Sequence, residues 1–371
     1  MGLERLGTPP GRRGPSAAAI GAGAGVVARA VPAVPAVPLT AVRSRRNNLV
    51  RLDEARTRTS RRPAAALPAD LWRAAAIVVV LLALTPAVAH AWTPGTHILL
   101  GEAVLRSAFL LPVRVAELLQ AFPYDFLYGS IAADTSIAKK YARFGRHCHH
   151  WYVGLEILDR ARDETLQAFA YGYLAHLAAD VVAHNWFVPH QLAVTSSTST
   201  IGHSYWESRF ESHLGVRHSR RAHEIILLDH ARSDDHLDRI LSPTIFSTHT
   251  NRRIFRGMVR MTDAESWQRI FAVMAERSRW DHEERDVGAY LTRSFDYVVD
   301  FLRRMDGSEP YAHDPSGEEP LRAAKAVRRA ALRRGGDRDM ARDAALRHFG
   351  LPVTSLGFTS QLVSPLYEPL I

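Results

Sequence analysis

Histidine is the residue that stands out in this 371-residue chain: there are 18, and 17 of them follow residue 91. In Tyr171-Gly-Tyr-Leu-Ala-His176-Leu-Ala-Ala-Asp180-Val-Val-Ala-His184 two imidazoles and a carboxylate recur at four-residue steps. On an α-helix each such step turns by only ~40°, so His176, Asp180 and His184 share one stripe spanning ~80°. A second pair, His203 and Glu207, repeats the spacing, and a third group reads His147-Cys148-His149-His150-Trp151. Asp134 ends a small-residue turn, Gly129-Ser-Ile-Ala-Ala-Asp134. Burying such groups without partners is costly. Divalent-metal coordination removes that cost, and nitrogen and oxygen donors of this kind favour zinc over Mg²⁺ or Ca²⁺. Clustered zinc would neutralise a phosphodiester, lower the pKa of a bound water to ~7 and stabilise the leaving oxygen. Asp134 or Glu207 could take the proton from the attacking water, and Asp134 is preferred. Within the third group His147, His149 and His150 all remain candidates. Cys148 reads as a small packed side chain.

The elements that must position these residues are helices. Apolar residues recur at helical spacing in His97–Phe109 and, most strongly, in Thr165–Phe187, where Phe169, Tyr173, Leu177 and Val181 fall at i+4 steps. Thr262-Asp-Ala-Glu265 fits a capping box that opens a helix through Ile270, Val273 and Met274. Leu291, Phe295, Val298, Leu302 and Met305 mark another helix, and Leu321–Arg334 and Met340–Phe349 are shorter ones with solvated Arg-rich faces. No convincing alternating strand follows residue 91. The fold class is therefore all-α, with a polar, turn-rich loop at 306–319 that could precede a separate C-terminal piece.

The net charge of +9 comes from 47 basic and 38 acidic residues. Residues 1–91 hold 13 Arg and four acids, so the remaining chain carries 34 of each sign and is neutral. A neutral folded part disfavours a polynucleotide partner, which selects a basic face. One cysteine excludes an intrachain disulfide and any multi-cysteine zinc or iron–sulfur site. Residues 1–66, rich in Ala, Pro, Gly and Arg, read as a disordered or mis-annotated extension. Residues 67–91 have one positive charge, an apolar run from Ala74 to Leu84, a break at Pro86 and an Ala89-His-Ala91 ending. That is a signal-peptide pattern with cleavage after Ala91, and an uncleaved membrane anchor is the alternative. The run is shorter than the ~20 residues a spanning helix needs.

Taken in order, Trp92 behind a signal peptide, His97, Asp134, His150-Trp151, His176-x-x-x-Asp180, His184 and His203-x-x-x-Glu207 resemble the zinc-dependent phospholipases C. These are secreted enzymes of the alpha-toxin and phosphatidylcholine-hydrolase type. The catalytic domain of glycosylphosphatidylinositol phospholipase D is also similar. Gln167–Asp180 is the most specific stretch, and the resemblance covers roughly residues 92–215. It implies a multi-helical domain of the phospholipase C and single-strand-nuclease type over residues 92–305, with 306–371 as a helical extension. It further implies up to three zinc ions. The amine and carbonyl of Trp92 would bind one with His97, and Asp180 would bridge it to a second held by Asp134, His150 and His176. His184, His203 and Glu207 would hold the third. The implied activity is hydrolysis of phospholipid by a secreted or periplasmic monomer acting at a membrane surface. The alternatives are a single-strand nuclease or nucleotidase with the same type of metal site, and a non-catalytic zinc-binding domain.

Overall fold

The computed structural model describes residues 92–136, 147–195, 199–262, 284–333 and 337–367, with scattered positions between 269 and 282. The extension, the signal segment and most of the capping-box helix after Thr262 lie outside the described residues. All described residues belong to one compact unit, Ala65–Ile371, and among them there are helices and no strands.

The chain opens with α1 (Pro94–Arg106), whose Pro94 sits in the first turn, where no backbone N–H is required. Next come α2 (Val113–Ala121) and α3 (Pro123–Ala132), and α3 runs into a 3₁₀ turn, Ala133–Thr135, that carries Asp134. Then follow α4 (Trp151–Asp159) and α5 (Glu164–Val182). Helix α5 starts where the Asp163 carboxylate accepts the Leu166 N–H at 3.0 Å, an N-cap. From Ala168 to Val182 every residue except Tyr171 is buried. A helix apolar on all sides belongs at the centre of a bundle, and α3, α4 and a later helix pack around it. His176 and Asp180 are polar exceptions on this helix, and both are fully buried.

The central helix does not continue as plain α-helix to Phe187, as its periodicity predicts. Ala183–Phe187 form a π turn before α6 (Val188–Thr195). Such a widened turn is a recurrent feature of functional sites, and here it carries His184. Beyond it lie α7 (Ser199–Leu214), α8 (Val216–Ile226), α9 (Ala231–Asp238), α10 (Thr248–Thr262), α11 (Glu284–Arg304), α12 (Glu318–Arg333) and α13 (Arg338–Phe349). α11 covers another side of α5.

The C-terminal residues are tied into the same unit instead of forming a separate piece. Helices α12 and α13 pack on α6, and Arg328 donates to the Ala193 carbonyl at 3.1 Å. The buried Asp296 of α11 accepts the backbone N–H groups of Gly357 and Thr359 at 3.2 and 2.7 Å.

Helices α3 and α5 cross with their backbones in close contact. A Cβ added to Gly129 would lie 2.0 Å from the Phe169 carbonyl oxygen, and one added to Gly172 would lie 2.0 Å from that of Phe126. The two glycines let the backbones touch, and that approach brings the Asp134 turn up to His176. Gly172→Ala should therefore force the helices apart at a cost of about 1–3 kcal/mol. A urea titration checks this through a lowered unfolding midpoint, and zinc content should fall with it.

Candidate metal centre

Eight side chains from six separate places in the chain meet in the interior: His97 (α1), Asp134 (3₁₀ turn), His149 (before α4), His176 and Asp180 (α5), His184 (π turn), His203 and Glu207 (α7). None is more than 3% exposed. Asp180 is the hub. Its Oδ2 lies 2.9 Å from His149 Nε2 and 3.0 Å from His176 Nε2, and its Oδ1 lies 3.3 Å from His97 Nε2. These approaches are close in distance yet wrong in direction for hydrogen bonds. Both Asp180 oxygens and His97 Nε2 lack a hydrogen-bond partner. Asp134 Oδ1 stands 3.4 Å from His149 Nε2 and 3.9 Å from His176 Nε2. The His97 ring stacks on that of His176 with centroids 3.8 Å apart.

The outer ring nitrogens explain the orientation. His176 Nδ1 lies 2.9 Å from the Ser130 carbonyl, an acceptor only, so Nδ1 donates and Nε2 carries the lone pair. His149 Nδ1 is 3.2 Å from Cys148 Sγ, and its Nε2 is 3.1 Å from His176 Nε2. A divalent cation is the partner that satisfies inward nitrogens and a carboxylate at once, and outer hydrogen bonds of this kind are how metal-ligating imidazoles are held.

A second group adjoins the first. His203 Nε2 and Glu207 Oε1 are 2.6 Å apart, one turn apart on α7. The His184 ring stands edge-on to that of His203 at 5.3 Å and lies 6.1 Å from that of His149. One ligand atom from each of His184, His203 and Glu207 falls within 4.8 Å of the others.

His150 is not at the centre; His149 takes the place expected for it. His150 is only partly buried, faces Asp314 with Nδ1 3.8 Å from Oδ1, and stacks on Tyr152. The cause is local: its backbone is extended (φ −107°, ψ 140°) just ahead of α4, and neighbouring side chains on extended backbone point in opposite directions. The aromatic that suggested His150 has a different role. Trp151 stacks on Phe301 at 4.5 Å and donates to the His313 carbonyl. Cys148 is buried, as expected, and borders His149. Trp92 is fully buried, with Nε1 donating to the carbonyl of Ala179, the neighbour of Asp180, at 3.1 Å and its ring against Phe187 and Phe210. Residue 91, on which a free Trp92 amine depends, lies outside the described residues.

Burial and the neighbouring His176 hold His97 down to about 4, against the pull of Asp180. Burial opposes ionisation of Asp180, yet His176, His149 and His97 around it prevail and keep its carboxyl well below the usual range. The centre at neutral pH is therefore an anionic carboxylate facing neutral His97, a donor set ready for a cation. Burial likewise lowers His190 to about 4 and His282 to about 3. For these three, the unfolded chain takes up protons below pH ~6.5 while the folded chain does not. Stability present above pH ~6.5 is thus lost as pH falls toward about 4. Urea midpoints of the zinc-free protein should drop across that window and be flat from pH 7 to 8.

The fold and the donor set together define a class: an all-helical protein whose core encloses a nitrogen–oxygen centre for divalent metal, with a composition that suits zinc. Residues 96–253 match the family model described as zinc dependent phospholipase C. The matched stretch contains all eight converging side chains. Comparison with curated proteins and with solved structures finds no match.

Proposed function

We propose that the chain is an exported zinc-dependent phospholipase C that hydrolyses membrane phospholipids. The observation that carries this reading is Asp180, a buried carboxylate met by three imidazole nitrogens at 2.9–3.3 Å without hydrogen-bond geometry. His97 and Asp180, with the Trp92 terminus, would hold one zinc. Asp134, His149, His176 and Asp180 would hold a second, and His184, His203 and Glu207 a third. When bound, zinc supplies positive charge for the phosphodiester oxygens and acidifies water.

The chain's own groups do the rest. Asp134, beside His149 and His176, would accept the proton of the attacking water. Oxygen from water bonds to phosphorus, the phosphorus–oxygen bond to the glycerol breaks, and a proton reaches that glycerol oxygen. Diacylglycerol and a phosphorylated headgroup result. Export would free the Trp92 amine by cleavage after Ala91 and couple activation to secretion. Among the described residues no helix is long and apolar enough to cross a membrane.

The test is product analysis with phosphatidylcholine and phosphatidylinositol vesicles, with single-stranded DNA in parallel. Diacylglycerol release that a chelator abolishes and zinc restores is the expected result. Zinc-restored cleavage of DNA with no lipid product would instead assign nuclease activity.

A further inference from the structure

Family-matched sequence ends at residue 253, yet one of the converging histidines is held from far beyond it. His184 Nδ1 lies 2.5 Å from the carbonyl of Pro315, 131 residues away. The stretch His313–Gly317 lies against the π turn along its length. Asn185 donates its side-chain amide both to the Asp314 carbonyl and to the Val181 carbonyl, each at 2.9 Å. His313 meets the Trp186 ring edge-on at 5.0 Å and accepts the Trp151 indole N–H at 2.8 Å. At the far end Gly317 has φ +55°. A Cβ there would stand 2.4 Å from His184 Cβ and 2.5 Å from the His184 carbonyl oxygen. The segment is pressed onto this histidine so closely that no side chain fits between them.

We propose that His313–Gly317 is a positioning strap for the metal centre, through which the C-terminal region completes the site formed by His184, His203 and Glu207. The inference rests on the zinc reading above and deepens it. The physical argument is the tautomer. A carbonyl only accepts, so Pro315 requires a proton on Nδ1 and leaves the lone pair on Nε2. It also fixes the ring rotation within a turn whose backbone is wider than an α-helix. Losing an outer-sphere partner of a ligating imidazole weakens metal binding by about 10–100-fold. The strap also explains the glycine: any larger residue at 317 displaces the backbone that carries the Pro315 carbonyl.

The experiment measures zinc per chain by elemental analysis and stepwise affinity by competition with a chelator, on the full chain. It compares wild type with Gly317→Ala, Asn185→Ala, His184→Ala and the His184→Ala/Gly317→Ala double variant. Circular dichroism reports folding. The expected result is selective: Gly317→Ala weakens one ion by about 10–100-fold and leaves the tighter ions at wild-type affinity. Asn185→Ala weakens the same step by less, and the double variant loses no more than His184→Ala alone, because both changes act on one ion. If Gly317→Ala does not fold, the Asn185→Ala step decides. Folded variants that keep every ion at wild-type affinity, or that lose all ions in parallel, overturn the strap. A wild-type chain with no zinc overturns the underlying metal reading itself, a result distinct from both.

Discussion

Replacing Asp180 by Ala should lower phospholipid hydrolysis on the order of 10²–10³-fold or more, the scale of losing a principal electrostatic element of an active site. Zinc content should fall in the same preparation. Asp180 lies within 3.3 Å of three imidazoles, so its removal would take a ligand from both of the zinc positions proposed for it. Asp180→Asn should fail almost as fully: it keeps the shape, loses the negative charge, and aims an amide at nitrogens that need a cation. Steady-state assays on phosphatidylcholine vesicles, paired with elemental analysis, measure both effects. Full zinc content and wild-type turnover in either variant would remove Asp180 from the centre.

The second large effect separates two adjacent histidines. His149→Ala should reduce activity on the order of 10²-fold and release zinc, because His149 Nε2 faces Asp180, Asp134 and His176. His150→Ala should stay within about twofold of wild type, as expected for a partly exposed side chain away from the centre. Its Nδ1 faces Asp314 at 3.8 Å. The reverse ranking in the same assay would restore the assignment that the neighbouring Trp151 suggests from sequence.

The helices that carry the centre are legible in the chain because their periodicity and their chemistry coincide. Phe169, Tyr173, Leu177 and Val181 mark α5 by packing, and His176 and Asp180 mark the same helix by the cost of burying them. His203 and Glu207 need only one turn of α7 to meet. Asp134 is recognisable because small residues surround it, although the reason those residues are small appears only in the crossing of Gly129 and Gly172. His149 is hidden for a local reason: three histidines in four residues give no period, and an extended backbone decides which of two neighbours points inward. The π turn is hidden because Ala183-His-Asn-Trp-Phe187 contains no breaker. The Pro315–His184 bond joins residues more than a hundred apart, and its acceptor is a backbone carbonyl that carries no residue signature. The polar composition of 306–319 reads as a linker, and polar turns are also what a strap over a buried site consists of.

Each of these features bears on one claim, that the buried histidines and carboxylates form a zinc centre. X-ray data collected above and below the zinc absorption edge, on crystals of the protein, test it most directly. The account predicts anomalous zinc peaks enclosed by His97, Asp134, His149, His176 and Asp180, and a further peak among His184, His203 and Glu207. No zinc at these positions, with Asp180 hydrogen-bonded instead to protonated histidines, would contradict it.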